Sequence, residues 1–508
     1  MLIDHMSPRA VFLLCLILLT GCSLPGAVAP SPVVLEATSS PVEFPVSTPL
    51  EQPTATSPLA ETPAPTSANA VSATGKHYTL QAIFDYLGHT LAVSETVEYT
   101  NNSPDALSEL QLAVEANRWE GSFVLESLTW GGGEAVSNYE LESNRLLIPL
   151  PQPLQPGDSL ALLVAYTLNL PAIPVSTESI RPLPYGYTAR QTNLVDWYPF
   201  VAPYRSGQGW LLHAAGTFGE HQVYDVADYD VEISLHQPVE GLVIAASAPA
   251  ETSGSAYRYH LAGARNFVWS ASHLYTVRSM QVGDVMVTSY FFPGEARAGE
   301  QVLLDSGEAL RLYSRLFSPY PYPSLSVVEA DFPDGMEYNS LFFLSNSFYT
   351  LYDGTPQGYL TIITAHETAH QWWYSLVGSD QALEPWLDEA MCTYSERIFY
   401  EYIYPDLLDW WWAFRIDPYQ PSGIIDGSIY DYGNMRTYRD SVYLHGAQFL
   451  EQLRLGAGDQ AFFAFLQDYA ARLSNQQTTT TDFFAIFQEH SGMELDVLLD
   501  DYFSSVHK

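Results

Sequence analysis

Thr364-Ala-His-Glu-Thr-Ala-His-Gln-Trp-Trp373, followed by Glu384-Pro-Trp-Leu-Asp-Glu-Ala390, is the stretch on which the reading of this chain turns. His366 and His370 stand four residues apart, so a helix puts them on one face, one turn above the other. Two imidazoles so placed can grip one metal ion, and Glu367 beside them can act on a metal-held water. The string is short and alone only suggestive. Trp386-Leu-Asp-Glu-Ala390 raises its weight, because it offers a third donor, Glu389, from what reads as the next helix. His366, His370 and Glu389 then supply three ligands and leave a fourth position open, as a hydrolytic zinc site requires. One zinc ion per chain is expected.

The surroundings are those of an ordinary globular protein. The chain has 508 residues, 47 % apolar and 15 % charged, enough for more than one domain. Its formal charge is -38, from 58 acids against 20 bases. No basic stripe exists to neutralise phosphates, so nucleic acid is excluded as a partner. Of the cysteines, Cys15 and Cys22 lie in an N-terminal apolar run, and only Cys392 lies in the folded part. No internal disulfide is therefore available there.

Ala10 to Leu19 is apolar, follows Arg9 and is too short to span a bilayer, as in a secretory leader. Met6 would give a cleaner start to that leader than Met1. Leu19-Thr-Gly-Cys22 resembles a bacterial lipobox, which implies cleavage before Cys22 and a lipid on its thiol. Residues 1–22 are thus read as a lipoprotein signal. Residues 23–76, rich in Pro, Thr, Ser and Ala, read as a disordered spacer. The expected location is the bacterial cell envelope, outside the cytoplasm, with the lipid as the only membrane contact.

Residues 77–280 show short alternating strands with Gly, Pro and Asn turns and read as an all-β domain, saddle-shaped or sandwich-like. Helical periodicity begins near Glu300 and dominates residues 281–508. Helices are expected near 360–377, 385–402, 443–455, 459–473 and 482–489, the last with Thr481 as its N-cap. The fold class is multidomain α+β.

His366-Glu-x-x-His370, eighteen further residues and Glu389 inside Trp-Leu-Asp-Glu-Ala resemble the aminopeptidase N family of zinc metallopeptidases, which share a thermolysin-like catalytic domain. That family carries an upstream G-x-M-E-N-type motif, and this chain has Asp334-Gly335-Met336-Glu337-Tyr338. The resemblance implies that Glu337 binds the substrate's free α-amine, with Gly335 and Met336 beside it. A Tyr-x-x-Gly segment, Tyr443-Leu-His445-Gly446, implies Tyr443 as the oxyanion donor, with Tyr438 its rival; His445 reads as a structural replacement. Gln191, in Thr188-Ala-Arg-Gln-Thr-Asn-Leu-Val-Asp-Trp-Tyr-Pro199, is the candidate contribution of the β domain to the amine site. Asp388 could orient a metal-binding histidine or simply face solvent.

The activity implied is removal of N-terminal residues by attack of zinc-bound water on the first peptide bond, with Glu367 as base and then acid. Substrates would be peptides with a free N-terminus, and the enzyme a monomer. The chain stops before the large helical C-terminal domain of many relatives. Two alternatives stay open: an endopeptidase or other hydrolase of the family, such as its epoxide-opening branch, and a catalytically silent cell-surface binding module.

Overall fold

Alternation of buried and exposed side chains builds the first half. In Lys76–Asp85, Tyr78, Leu80, Ala82 and Phe84 are buried while Gln81 and Ile83 face out, the period of two that a half-buried strand imposes. A computed structural model describes residues 74–174 and 183–504. The expected signal, Cys22, and all but the last three residues of the expected spacer lie outside the described residues.

Seven strands join in the order Glu251–Ser253, Ala256–Ala264, Ala227–Leu235, Lys76–Asp85, Thr90–Thr100, Ser159–Asn169, Phe123–Trp130. All neighbours are antiparallel except the pair Lys76–Asp85 and Ala227–Leu235. Two four-stranded sheets share its core. One contains Leu107–Ala113 and Arg145–Leu154, the other Val243–Ala246 and Trp269–Ser272. Leu110, Ile148, Ala245 and Trp269 bury into one cluster with Phe84. This is the expected strand-rich half.

The second half opens with a hairpin, Thr276–Val282 and Val285–Phe291. Thr276–Val282 runs through position 280, where the sequence-based division falls, and by its pairing belongs to the later sheet. Val285–Phe291 is parallel to Ser324–Ala330, and that strand is parallel to Leu341–Ser345. Helix α1 (Ala296–Leu316) makes the first crossover, the usual way to join parallel neighbours. Gly335–Tyr338 pairs antiparallel to Leu341–Ser345 at the sheet edge.

Helices α2 (Tyr359–His370), α3 (Trp386–Ile403), α4 (Gly446–Ala457), α5 (Asp459–Arg472) and α6 (Thr480–Ser491) follow. The helix expected to continue to 377 gives way after His370 to a π-type turn over Gln371–Leu376. Trp372 and Trp373 are both buried in this turn, as the helix before it is buried all round. Their indole nitrogens donate to the Ser318 carbonyl (2.8 Å) and to Ser395 Oγ (3.1 Å). The last long helix is capped by Thr479 rather than Thr481. Thr479 Oγ1 accepts from the Asp482 amide, and the Asp482 carboxylate accepts from the Thr479 amide, a reciprocal capping box.

One buried cation ties the strand half to the helical half. Arg265 donates to the carbonyls of Tyr224, Tyr374, Ser375, Leu376 and Gln476. These acceptors include carbonyls at the end of the π-type turn, of which that of Leu376 also accepts from the Asn475 amide (2.7 Å).

Candidate metal centre and active site

Helix α2 presents His366, Glu367 and His370, all buried. Helix α3 crosses it and presents Asp388 and Glu389 from its first turn. The two imidazoles are each held by the nitrogen that faces away from the other ligands. His366 Nδ1 is 2.9 Å from Glu396 Oε1, and His370 Nδ1 is 2.6 Å from Asp388 Oδ1. Each Nε2 thereby points toward Glu389, whose Oε2 is 3.2 Å from His366 Nε2 and 3.7 Å from His370 Nε2. Donors bound at 2.0–2.1 Å in a tetrahedron stand about 3.3 Å from one another, close to the two distances that Glu389 makes. The outer carboxylates fix ring orientation and tautomer, as partners of metal-binding histidines generally do.

Glu396 lies seven residues after Glu389 and so on the same face of α3. It also accepts from Arg415 (Nε 2.9 Å, Nη2 3.0 Å) and from Trp411 Nε1 (3.2 Å). Burial alone would raise its carboxyl, but Arg415 and His366 hold it below the usual range. Asp388 is fully buried, so the solvent-facing alternative is excluded. Burial raises it, against the hydrogen bond from Gln381. Cys392 lies on the far side of the ring, its Sγ 3.9 Å from Asp388 Oδ1, away from the three facing donors.

Glu337, in the edge strand Gly335–Tyr338, is buried and accepts from Gln381 Nε2 at 3.0 Å. The same nitrogen donates to Asp388 Oδ2 at 2.7 Å. A carboxylate oxygen of Glu337 stands within 4.8 Å of donor atoms of His370 and Glu389. Gly335 permits close approach of the strand to α2, since a Cβ there would sit 2.1 Å from Glu367 Oε1. Glu367 Oε2 is buried without a hydrogen-bond partner. Burial first, then the charges of Glu337 and Glu389, push the Glu367 carboxyl well above its ordinary value. Glu337 and Glu389 are raised by burial too, against the pull of His370. So many crowded carboxylates call for cations, and a dication with an ammonium would satisfy them.

Tyr443 lies in a π-type turn, Arg439–His445, that leads into α4. Such turns recur at functional sites. Its ring stacks on His366 (centroids 6.0 Å, planes 10° apart), and burial, with the charge of Glu389 added to it, raises its phenol. Tyr438 does not compete. Its hydroxyl is buried without a partner, and its ring packs between Phe218 (5.3 Å) and Tyr443 (5.6 Å), buttressing the latter. His445 Nδ1 donates to the Gly423 carbonyl (2.7 Å) and stacks on Tyr502, a structural role.

A cleft of about 400 Å³ joins these groups; Glu220, Glu337, Glu367, Arg415, Tyr443, His366, His370 and Glu389 line it. Gln191 is not among them. Its amide donates to Tyr275 Oη (2.7 Å) and the Glu329 carbonyl (3.2 Å), and its oxygen accepts from the Asp331 amide (2.7 Å). Both its amide hydrogens and its oxygen are engaged in joining the β half to the strand before Glu337. The strand half instead contributes Glu220, which follows Gly219 in a loop that returns to the cleft. No local spacing signals it. Glu396 had such a signal in its distance from Glu389, and Gln381 and Arg415 had none.

Residues 305–502 match the peptidase family M1 domain. Over 222 residues the chain is 28 % identical to aminopeptidase M1-D of Oryza sativa subsp. japonica, covering 41 % of this chain and 25 % of that one. Over 141 residues it is 28 % identical to aminopeptidase N of Streptomyces lividans, covering 26 % and 16 %. The match thus spans about a quarter or less of these curated relatives. An M1 zinc metallopeptidase from Deinococcus radiodurans superposes with a TM-score of 0.58 at 20 % identity, covering 84 % of this chain and 92 % of that one. It shares the fold through both halves. Over residues 305–502 the chain thus resembles the peptidase family M1 domain, and in fold it resembles an M1 zinc metallopeptidase.

Proposed function

We propose that this protein is a zinc-dependent aminopeptidase that removes N-terminal residues from peptides. The observation that carries the exopeptidase part is the position of Glu337, a buried carboxylate within 4.8 Å of His370 and Glu389 donor atoms. An α-ammonium held there leaves room for one residue before the scissile bond. His366, His370 and Glu389 hold the zinc. Bound zinc supplies a Lewis acid for the carbonyl and lowers the pKa of water at its open position.

The side chains do the rest. Glu337 recruits and fixes the free amine. Glu367 Oε2, with no competing hydrogen bond, takes a proton from the attacking water and returns it to the leaving nitrogen. Tyr443 Oη donates to the oxyanion that replaces the carbonyl. Gln381 holds Glu337 and Asp388 in fixed relation. Leu19-Thr-Gly-Cys22 supports a lipid on Cys22 and work outside the cytoplasm of a bacterium. No described helix is long and apolar enough to cross a membrane.

The test compares free and N-acetylated peptides with wild type, Glu337→Gln and Glu367→Gln. Wild type should cleave only the free form. Glu367→Gln should lose kcat by about 10²-fold or more, and Glu337→Gln should raise KM for the free peptide. Equal cleavage of free and acetylated peptides by wild type overturns the aminopeptidase reading.

A further inference from the structure

Glu396 does not exhaust Arg415. An arginine carries five N–H donors in a planar fork, and Glu396 takes one on Nε (2.9 Å) and one on Nη2 (3.0 Å). The donors that remain lie on the Nη1–Nη2 edge. Nη1 makes no hydrogen bond among the described residues and is not one of the sealed polar atoms. The residue is only 6 % exposed, yet it lines the main cleft. We propose that this edge of Arg415 binds the C-terminal carboxylate of short peptides, one or two residues beyond the scissile bond, and so selects di- and tripeptides. The inference rests on the aminopeptidase reading.

Position gives the first argument. A carboxylate oxygen of Glu337, the amine anchor, stands within 4.8 Å of a His370 donor atom. Arg415 stands behind the other histidine. Its Nη2 and His366 Nδ1 both bond Glu396 Oε1, at 3.0 and 2.9 Å, so they lie within about 6 Å of each other, under two residues of extended chain. A peptide whose amine rests on Glu337 and whose first carbonyl lies at the two histidines therefore runs on toward Arg415.

Charge gives the second. Glu220 and Glu337 make the anchor end acidic, whereas Arg415 and Arg439 are the permanent cations on the cleft wall among the described residues. Both flank Tyr359, which with Ile363 and His366 follows one face of α2. Arg439 lies over the Tyr419 ring (4.2 Å), whose hydroxyl is 3.2 Å from Tyr359 Oη, and the charge of Arg415 acts on the same Tyr359 phenol.

The chemistry of the edge gives the third. Guanidinium bonds to a carboxylate are about twice as strong as neutral ones and take it by two parallel N–H groups. Burial of Arg415 limits competition from water. Arg439 already gives Nε and Nη2 to Asp440 and is more exposed, so it supports the site from the rim. Asp334, on the same wall, is exposed and makes no hydrogen bond with Arg415, so the edge stays open. A C-terminal amide would set its own N–H groups against those of Arg415, and a longer peptide would bring only neutral carbonyls there.

The test uses the full zinc-loaded chain and follows release of leucine from leucyl-alanine, leucyl-dialanine and leucyl-tetraalanine, each as free acid and as C-terminal amide. The chain's formal charge of -38 disfavours anions in general, so a preference for the acid reports a local donor. For at least one of the two short peptides the acid should exceed the amide in kcat/KM by about tenfold or more, chiefly through KM, and at five residues the two should agree within about twofold. In Arg415→Lys, which keeps a cation beside Glu396 but loses the fork, the acid-to-amide ratio should fall about tenfold. Lost zinc or partial unfolding lowers acid and amide alike, so the ratio reads neither. Should the variant not fold, the wild-type ratios still decide. A ratio of about one for both short peptides, a preference that persists at five residues, or a ratio unmoved in Arg415→Lys overturns the proposal while the aminopeptidase reading stands. Release of leucine from none of the peptides overturns both.

Discussion

Removing Arg415 separates two things that Glu396 does. Glu396 is fully buried and is contacted by four groups: His366 Nδ1, Trp411 Nε1 and two nitrogens of Arg415. Arg415→Met keeps most of the buried volume but removes the counter-charge. An uncompensated buried carboxylate costs about 3–5 kcal/mol. With about 2.1 cal/mol/K of unfolding entropy per residue over roughly 430 residues, that is a fall in Tm of about 3–6 °C. Arg415→Met with Glu396→Gln removes the buried charge as well, so most of the Tm should return. The imidazole of His366 still lacks an ionised partner in the double variant. Loss of such a partner weakens metal binding by about 10–100-fold. Differential scanning fluorimetry and zinc competition against a chromophoric chelator read the two quantities independently. Stability should recover in the double variant while zinc affinity stays low. Full recovery of both would show that Glu396 acts on the fold alone. An unchanged Tm in Arg415→Met would refute the buried ion pair itself.

Tyr443→Phe should lower kcat by about 10²–10³-fold with KM little changed, because one oxyanion donor is lost; steady-state kinetics on an aminoacyl amide would show it. Gln381→Leu leaves Glu337 and Asp388 without their shared donor, so KM for free-amine substrates should rise and zinc affinity fall together. A change in only one of the two would argue against the shared amide. Asp305 on α1, which accepts from Gln301, Thr361 and Tyr404, is pushed up to about 6 by burial. Its folded value lies above its unfolded one, so its contribution favours folding below pH ~4 and is lost as pH rises to about 6. Asp305→Asn should therefore gain stability over wild type at pH 7.5, by up to about 3 kcal/mol, and show no gain at pH 3.5. Urea denaturation at the two pH values measures this.

The convergence of the candidate metal-binding side chains was legible in the sequence because helical geometry is local. His366, Glu367 and His370 need only the 3.6-residue period, and Glu389 needs only a second helix entering nearby. The strand-rich half was legible from alternation in segments such as Lys76–Asp85. Where the reading slipped, the deciding contacts are distant in the chain. Gln191 lies in a segment that does approach the strand before Glu337, but its amide is bound at both ends to that strand and to Tyr275. Glu220 reaches the cleft because a loop folds back, and nothing in Gly219-Glu220 announces that. Tyr443 could be separated from Tyr438 only by motif. The packing separates them physically, one ring stacked on His366 and lining the cleft and the other packed among aromatic rings.

The two histidines are supported in unlike ways, and the difference bears on how substrate and metal affect each other. His366 rests on a complete ion pair, Glu396 with Arg415, which needs nothing from the substrate. His370 rests on Asp388, whose other oxygen is held by Gln381, and the same Gln381 nitrogen holds Glu337. An ammonium arriving at Glu337 neutralises that carboxylate and weakens its claim on the shared amide. The amide can then bond Asp388 more strongly, which orients His370. Under the proposed function, substrate held at Glu337 would thus be coupled through Gln381 and Asp388 to His370. By reciprocity, a metal held on His370 should tighten the anchor by the same factor. The ion pair behind His366 stays outside this exchange and keeps one half of the metal grip constant while the other responds.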